Sequence, residues 1–122
     1  MAPALPDNLS RGREAEDRAC VHLQRQGLTL ATRNYRSPHG EIDLVMQERD
    51  TLVFVEVRYR RRADFGTPAE TVDARKQARL RATAEHYLQH TPRASKKACR
   101  FDIVAITGDG ADGEFRWLQD VF

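Results

Sequence analysis

Residues 41–60 constrain this chain more than any other stretch, because they read as a β-hairpin with one favoured register. Glu41 to Gln47 and Thr51 to Arg60 read as strands, and Leu52-Val53-Phe54-Val55 gives the second a β-branched and aromatic centre. The break between them, Glu48-Arg49-Asp50, is short enough to demand an antiparallel turn. Centring that turn on Arg49-Asp50 pairs residues whose numbers total 99, so Asp43 lies across from Glu56. Ile42, Leu44 and Met46 then point to one face of the first strand, and Glu41, Asp43, Val45 and Gln47 to the other. On the second strand Val53, Val55 and Val57 oppose Phe54, Glu56 and Arg58.

Opposed residues on one sheet face have Cβ atoms about 5 Å apart, where two carboxylates repel unless a cation joins them. Oxygen donors at that separation suit Mg²⁺ or Mn²⁺. The backbone carbonyl of Val57 can add a third ligand, and Arg58, on the face of Glu56, can meet a phosphate. A divalent ion beside a phosphate supports phosphodiester hydrolysis. The same residues also read as an ordinary hairpin in which Glu56 is ion-paired with Arg58 or another arginine.

Around the hairpin the chain supplies five further elements. A first helix is expected from about Ser10 to Gln26, capped by Asn8 or Ser10 and ended by Gly27. Its apolar stripe is Ala15, Ala19, Cys20 and Leu23, bordered by Glu16. A strand from Leu28 to Arg36 leads through Ser37-Pro38-His39-Gly40 into the hairpin. Thr67-Pro68-Ala69-Glu70 carries helix-start signals, with Asp73 as a second possible cap. Helical residues continue to His90 with Leu80, Ala84, Tyr87 and Leu88 as the core stripe, and Thr91-Pro92 stops them. Cys99 to Ile106 reads as a fourth strand, Gly108-Asp109-Gly110 as a turn, and Glu114 to Leu118 as a short edge strand. The order α-β-β-β-α-β-β predicts an α/β sandwich with a mixed five-stranded sheet. At 122 residues it forms one domain, with residues 1–8 as a flexible tail.

Charge adds a direction. Arg58 to Arg100 holds 12 basic and 4 acidic residues, against 7 and 9 from Met1 to Val57 and 1 and 5 from Phe101 to Phe122. The basic middle reads either as a face for a polyanion or as a solvated helix surface with mobile arginines. In the first case Arg60, Arg61, Arg62, Arg75, Lys76 and Arg79 are the candidate nucleic-acid contacts. Cys20 and Cys99 lack metal-type spacing and read as reduced thiols of a cytoplasmic protein. No run is long and apolar enough for a membrane helix, and Met1 to Asp7 lacks the pattern of a signal peptide. His86 and His90 are four apart at a helix end, a spacing that can bind zinc but reads more simply as surface histidines. Asp102 reads as structural, and Trp117 and Tyr59 as packing residues that could also stack on bases.

Gly40-Glu41-Ile42-Asp43-Leu44-Val45, followed by Val53-Phe54-Val55-Glu56-Val57-Arg58, resembles the PD-(D/E)XK nuclease motif. More narrowly the chain resembles the bacterial YraN family. Gly12 and Glu16, Arg33-Asn34, Phe65-Gly66, Lys76, Arg100-Phe101-Asp102 and Phe122 extend the likeness from about Gly12 to Phe122. The resemblance implies a restriction-endonuclease-like fold similar to that of Holliday-junction resolvases. It implies Asp43 and Glu56 as metal ligands, Glu16 as a further ligand or an orienting carboxylate, and Glu41 as a flanking group. Arg58 stands where the superfamily motif has lysine; an arginine stays protonated and cannot serve as a base, so Lys76 becomes the candidate amine. The implied activity is Mg²⁺- or Mn²⁺-dependent hydrolysis of DNA, including branched or repair intermediates. The alternative is a nucleic-acid-binding module that keeps the fold with little or no catalysis. A homodimer, or a subunit of a DNA-processing assembly, fits the small size.

Overall fold

The computed structural model describes residues 7–60, 72–108 and 114–122, with side chains from residue 12 onward. The hairpin forms in the expected register. Strand β2 (Gly40–Glu48) pairs antiparallel with β3 (Thr51–Arg60) through Leu44↔Val55, Val45↔Phe54, Met46↔Val53, Gln47↔Leu52 and Glu48↔Thr51. Arg49 takes a left-handed conformation at φ 55° to close the turn.

Helix α1 (Asp7–Arg25) precedes β1 (Thr29–Ser37), which pairs antiparallel with β2. After β3, helix α2 (Ala74–His90) crosses to β4 (Ala98–Thr107), parallel to β3, and β5 (Glu114–Leu118) returns antiparallel at the edge. The result is a mixed five-stranded sheet in the order β1-β2-β3-β4-β5, the α/β arrangement expected from the sequence. Among the described residues no helix is long and apolar enough to cross a membrane.

The helices cover opposite faces of the sheet. Ala15, Ala19, Cys20 and Leu23 of α1 pack on Leu44, Met46, Val53, Val55, Val104 and Ile106. Leu80, Ala84 and Tyr87 of α2 pack on Ile42, Val45, Leu52, Phe54 and Ile103. β3 is therefore apolar on both sides, as a central strand must be.

The end of α1 follows from Gly27. At φ 100° it lets the Leu28 amide donate to the Leu23 carbonyl (3.1 Å) and its own amide donate to Gln24 (3.0 Å), while Leu23 and Leu28 bury together. The start of α1 differs from expectation. Asn8 and Ser10 lie inside the helix, which reaches back to Asp7. Asp73 caps α2 by accepting from the Lys76 amide at 2.8 Å. The Thr67-Pro68-Ala69-Glu70 start, Arg61, Arg62, Phe65-Gly66, the Asp109-Gly110 part of the turn and residues 1–6 of the expected tail lie outside the described residues.

Asp102 is structural, as expected. Buried in β4, it accepts from Arg100 Nε (3.1 Å), Trp117 Nε1 (2.9 Å) and the Asp120 amide (2.9 Å), tying β5 and the chain end to the sheet. Arg100 also reaches Glu48 at 2.8 Å.

Candidate functional site

The hairpin ladder stops one pair short of Asp43 and Glu56. Carried further in the same register it would pair Ile42 with Val57, whose N–H and C=O face β2. The Val57 amide donates instead to Asp43 Oδ2 at 2.8 Å. A side chain thus takes the hydrogen bond that a strand would have taken, and the two strands part here. The sequence reading takes the Val57 carbonyl as a ligand at this gap; the Val57 amide also reaches it, through Asp43.

The alternation of β2 breaks at the same level, which corrects the expected faces. Ile42 joins the core under α2, while Leu44 and Met46, of the same parity, join the core under α1. The β1–β2 ladder skips the level of Asn34 and Asp43, between the pairs Arg33↔Leu44 and Tyr35↔Ile42, and Asn34 adopts φ 51° there; the register itself shifts further along, between Leu30 and Thr32. Asparagine is among the few residues that tolerate this conformation.

Around this break lies a cleft of about 340 Å³ lined by Glu16, Gly40, Glu41, Asp43, Glu56, Lys76, Arg79 and Leu80. Glu16 comes from α1, Glu41 and Asp43 from β2, Glu56 from β3, and Lys76 and Arg79 from α2. Gly40 fits where a side chain would not. Its φ is 152°, and an added Cβ would meet Thr83 Oγ1 at 3.3 Å.

Each acidic group has a local partner. Lys76 Nζ lies 3.1 Å from Glu56 Oε1, and Arg58 Nε lies 3.8 Å from the same oxygen. Arg33 lies 3.6 Å from Glu16 and 2.6 Å from Asp17, and Arg36 lies 3.4 Å from Glu41. In the orientation that satisfies its surroundings, the Asn34 amide donates to Glu16 Oε1 (3.1 Å) and Glu41 Oε1 (3.0 Å). Burial raises the Glu16 carboxyl above its ordinary value, against the pull of Asn34 and Arg33. Asp43 is pushed up to about 7, first by burial and then by the charge of Glu56, with Glu16 and Glu41 adding to it and the Val57 amide opposing.

The donor set is all oxygen, which fits a hard divalent cation. Among the described residues no three His, Cys, Asp or Glu side chains are gathered tightly enough to grip an ion as they stand. Glu56 is held by Lys76, and Asp43 by the Val57 amide.

The structure thus brings Glu16, Asp43, Glu56, Lys76 and Arg79 to one cleft, with Arg58 beside Glu56. Arg75 is exposed on α2 and Arg60 is partly exposed at the end of β3, so neither joins the lining. Arg33 and Asn34 entered the sequence reading only as marks of the family resemblance, with no part assigned to them in the site. The available signal was an asparagine in mid-strand, where that residue type is depleted.

The model of the family described as Uncharacterised protein family UPF0102 matches residues 15–106. A UPF0102 protein of Nitrosococcus oceani is 50% identical over all of this chain and 97% of its own length. One of Pseudomonas entomophila is 51% identical over 91% of each chain, and one of Coxiella burnetii is 50% identical over 89% of this chain and 88% of its own. With the match spanning both strands of the hairpin and the α1 and α2 residues of the cleft, the chain belongs to the family UPF0102.

Proposed function

We propose that this protein is a divalent-cation-dependent nuclease that hydrolyses phosphodiester bonds in DNA, branched or repair intermediates included. One observation carries the reading: Glu16, Glu41, Asp43 and Glu56 share a cleft whose α2 wall bears Lys76 and Arg79. Four carboxylates lining one cleft repel one another, and a divalent cation would offset what Arg33, Arg36, Arg58 and Lys76 leave uncompensated. The restriction-endonuclease-like arrangement of the strands supports the reading by analogy.

In this reading Asp43 and Glu56 hold Mg²⁺ or Mn²⁺ with the Val57 carbonyl, and Glu16 orients or completes the set. When bound, the cation supplies Lewis-acid polarisation of the scissile phosphate. Lys76 and Arg79 place positive charge at the rim where a phosphate approaches, and Arg58 adds a fixed charge next to Glu56. Arg75 and Arg60 extend the basic surface, together with Arg61 and Arg62 in sequence. A cytoplasmic setting, and a homodimer or a larger DNA-processing assembly, belong to the same proposal.

A second reading, a binding module without catalysis, draws on the Lys76–Glu56 ion pair and on arginine at position 58. Linear, flapped and four-way DNAs incubated with Mg²⁺ or Mn²⁺ separate the two. The enzyme reading expects cleavage that is lost in Asp43→Asn and Glu56→Gln, while metal-free DNA binding holds or improves. The absence of cleavage on every substrate, with binding that weakens steeply as salt rises, would leave the binding module.

A further inference from the structure

The far end of α2 carries a second arrangement of ligating side chains, apart from the cleft lining. His86 and His90 lie one turn apart, and their rings stack with centroids 4.0 Å apart and planes 15° apart. Each ring has its Nδ1 engaged. His90 Nδ1 meets the His86 carbonyl oxygen at 2.8 Å, and His86 Nδ1 meets the Tyr35 hydroxyl of β1. His90 donates from Nδ1 to a carbonyl and so keeps its lone pair on Nε2; His86 does the same in the tautomer that donates from Nδ1 to the Tyr35 oxygen, and such partners orient the rings of metal-binding histidines. Among the described residues neither Nε2 has a hydrogen-bond partner. His39, in the turn between β1 and β2, is a third imidazole close enough to act electrostatically on His86.

We propose that His86 and His90 form a binding site for a borderline divalent ion of the Zn²⁺, Ni²⁺ or Cu²⁺ class, held through their two Nε2 atoms and oriented by Tyr35. The i, i+4 spacing puts both rings on one helix face, and rotating the rings out of their stack would aim both Nε2 lone pairs at one ion with metal–nitrogen bonds of about 2.0–2.1 Å. Nitrogen donors disfavour hard ions, so excess Mg²⁺ can occupy the carboxylate cleft without filling this site. Cu²⁺ should bind tighter than Ni²⁺, and Mg²⁺ not measurably. The inference does not depend on the nuclease reading.

The test is calorimetric titration of the untagged protein with Ni²⁺ in the presence of excess Mg²⁺. One site is expected. His86→Gln and His90→Gln should each weaken it by about tenfold or more, and Tyr35→Phe by about tenfold, with Asp43→Asn leaving it unchanged. The electron paramagnetic resonance spectrum of bound Cu²⁺ should show coupling to two nitrogens, reduced to one in either histidine variant. Melting curves of the glutamine variants matching the parent establish that a loss of binding is local. Ni²⁺ affinity unchanged in both histidine variants, or abolished in Asp43→Asn, would overturn the site. A parent Cu²⁺ spectrum with a single nitrogen would do the same, and unchanged affinity in Tyr35→Phe would overturn the orienting role of Tyr35.

Discussion

Asp43→Asn in metal-free protein is the sharpest probe of the cleft. Asp43 is pushed from 3.8 to about 7, chiefly by burial and by Glu56. That is roughly three powers of ten in proton affinity, or about 4 kcal/mol of disfavoured ionisation. The cleft opens to solvent, and screening reduces the realisable part to about 2 kcal/mol. The folded protein keeps a proton that the unfolded chain releases from about pH 4, so stability falls as pH rises from about 4 to 7 and levels off above. The amide variant has no charge to bury, and its oxygen can still accept from the Val57 amide. Its melting temperature should therefore match the parent near pH 4 and exceed it by about 6–10 °C at pH 8. Melts across this range, in chelator, read the difference directly. Adding Mg²⁺ or Mn²⁺ at pH 8 should raise the parent and not the variant. A gap independent of pH, or a variant less stable than the parent at pH 8, would refute the reasoning.

Three other substitutions test neighbouring parts of the structure. Asn34→Gly keeps the φ 51° backbone while removing the amide between Glu16 and Glu41; Mn²⁺ affinity should fall by about tenfold with little change in melting temperature. Asp102→Ala removes the acceptor shared by Arg100, Trp117 and Asp120, and should cost about 3–5 kcal/mol in urea unfolding. Gly40→Ala places a Cβ 3.3 Å from Thr83 Oγ1 at an unfavourable φ and should cost about 1–3 kcal/mol by the same measurement.

The register of the hairpin was legible because its turn is short and lies between two well-marked apolar strand centres. The stripes of α1 and α2 were legible for the corresponding helical reason, and all four of Ala15, Ala19, Cys20 and Leu23 are buried. Alternation misled at Ile42, because it assumes an unbroken strand. Asn34 sits on the neighbouring strand, and a left-handed residue other than glycine leaves only a faint mark in a sequence. The same break turned the expected Asp43/Glu56 ladder pair into a side chain bound to the Val57 amide. Lys76 lies 20 residues beyond Glu56 in the chain, and local periodicity could not place it at the cleft. Only the family resemblance suggested it, and the crossing of α2 brings it there.

The sheet lists its strands in chain order, so every pairing joins sequence neighbours. Three of the four are antiparallel, and those joining β1, β2 and β3 span short turns. The β3–β4 pairing must close a loop running from Arg60 to Ala98, the costliest in chain entropy. Asp43 and Glu56 are therefore brought near each other by local contacts, whereas Lys76 and Arg79 reach them only when the crossover docks. Local pairing favours an order in which Asp43 and Glu56 meet with Arg58 beside them before Lys76 and Arg79 dock, and a divalent cation held by that pair would stabilise the β1–β3 meander ahead of the remaining sheet.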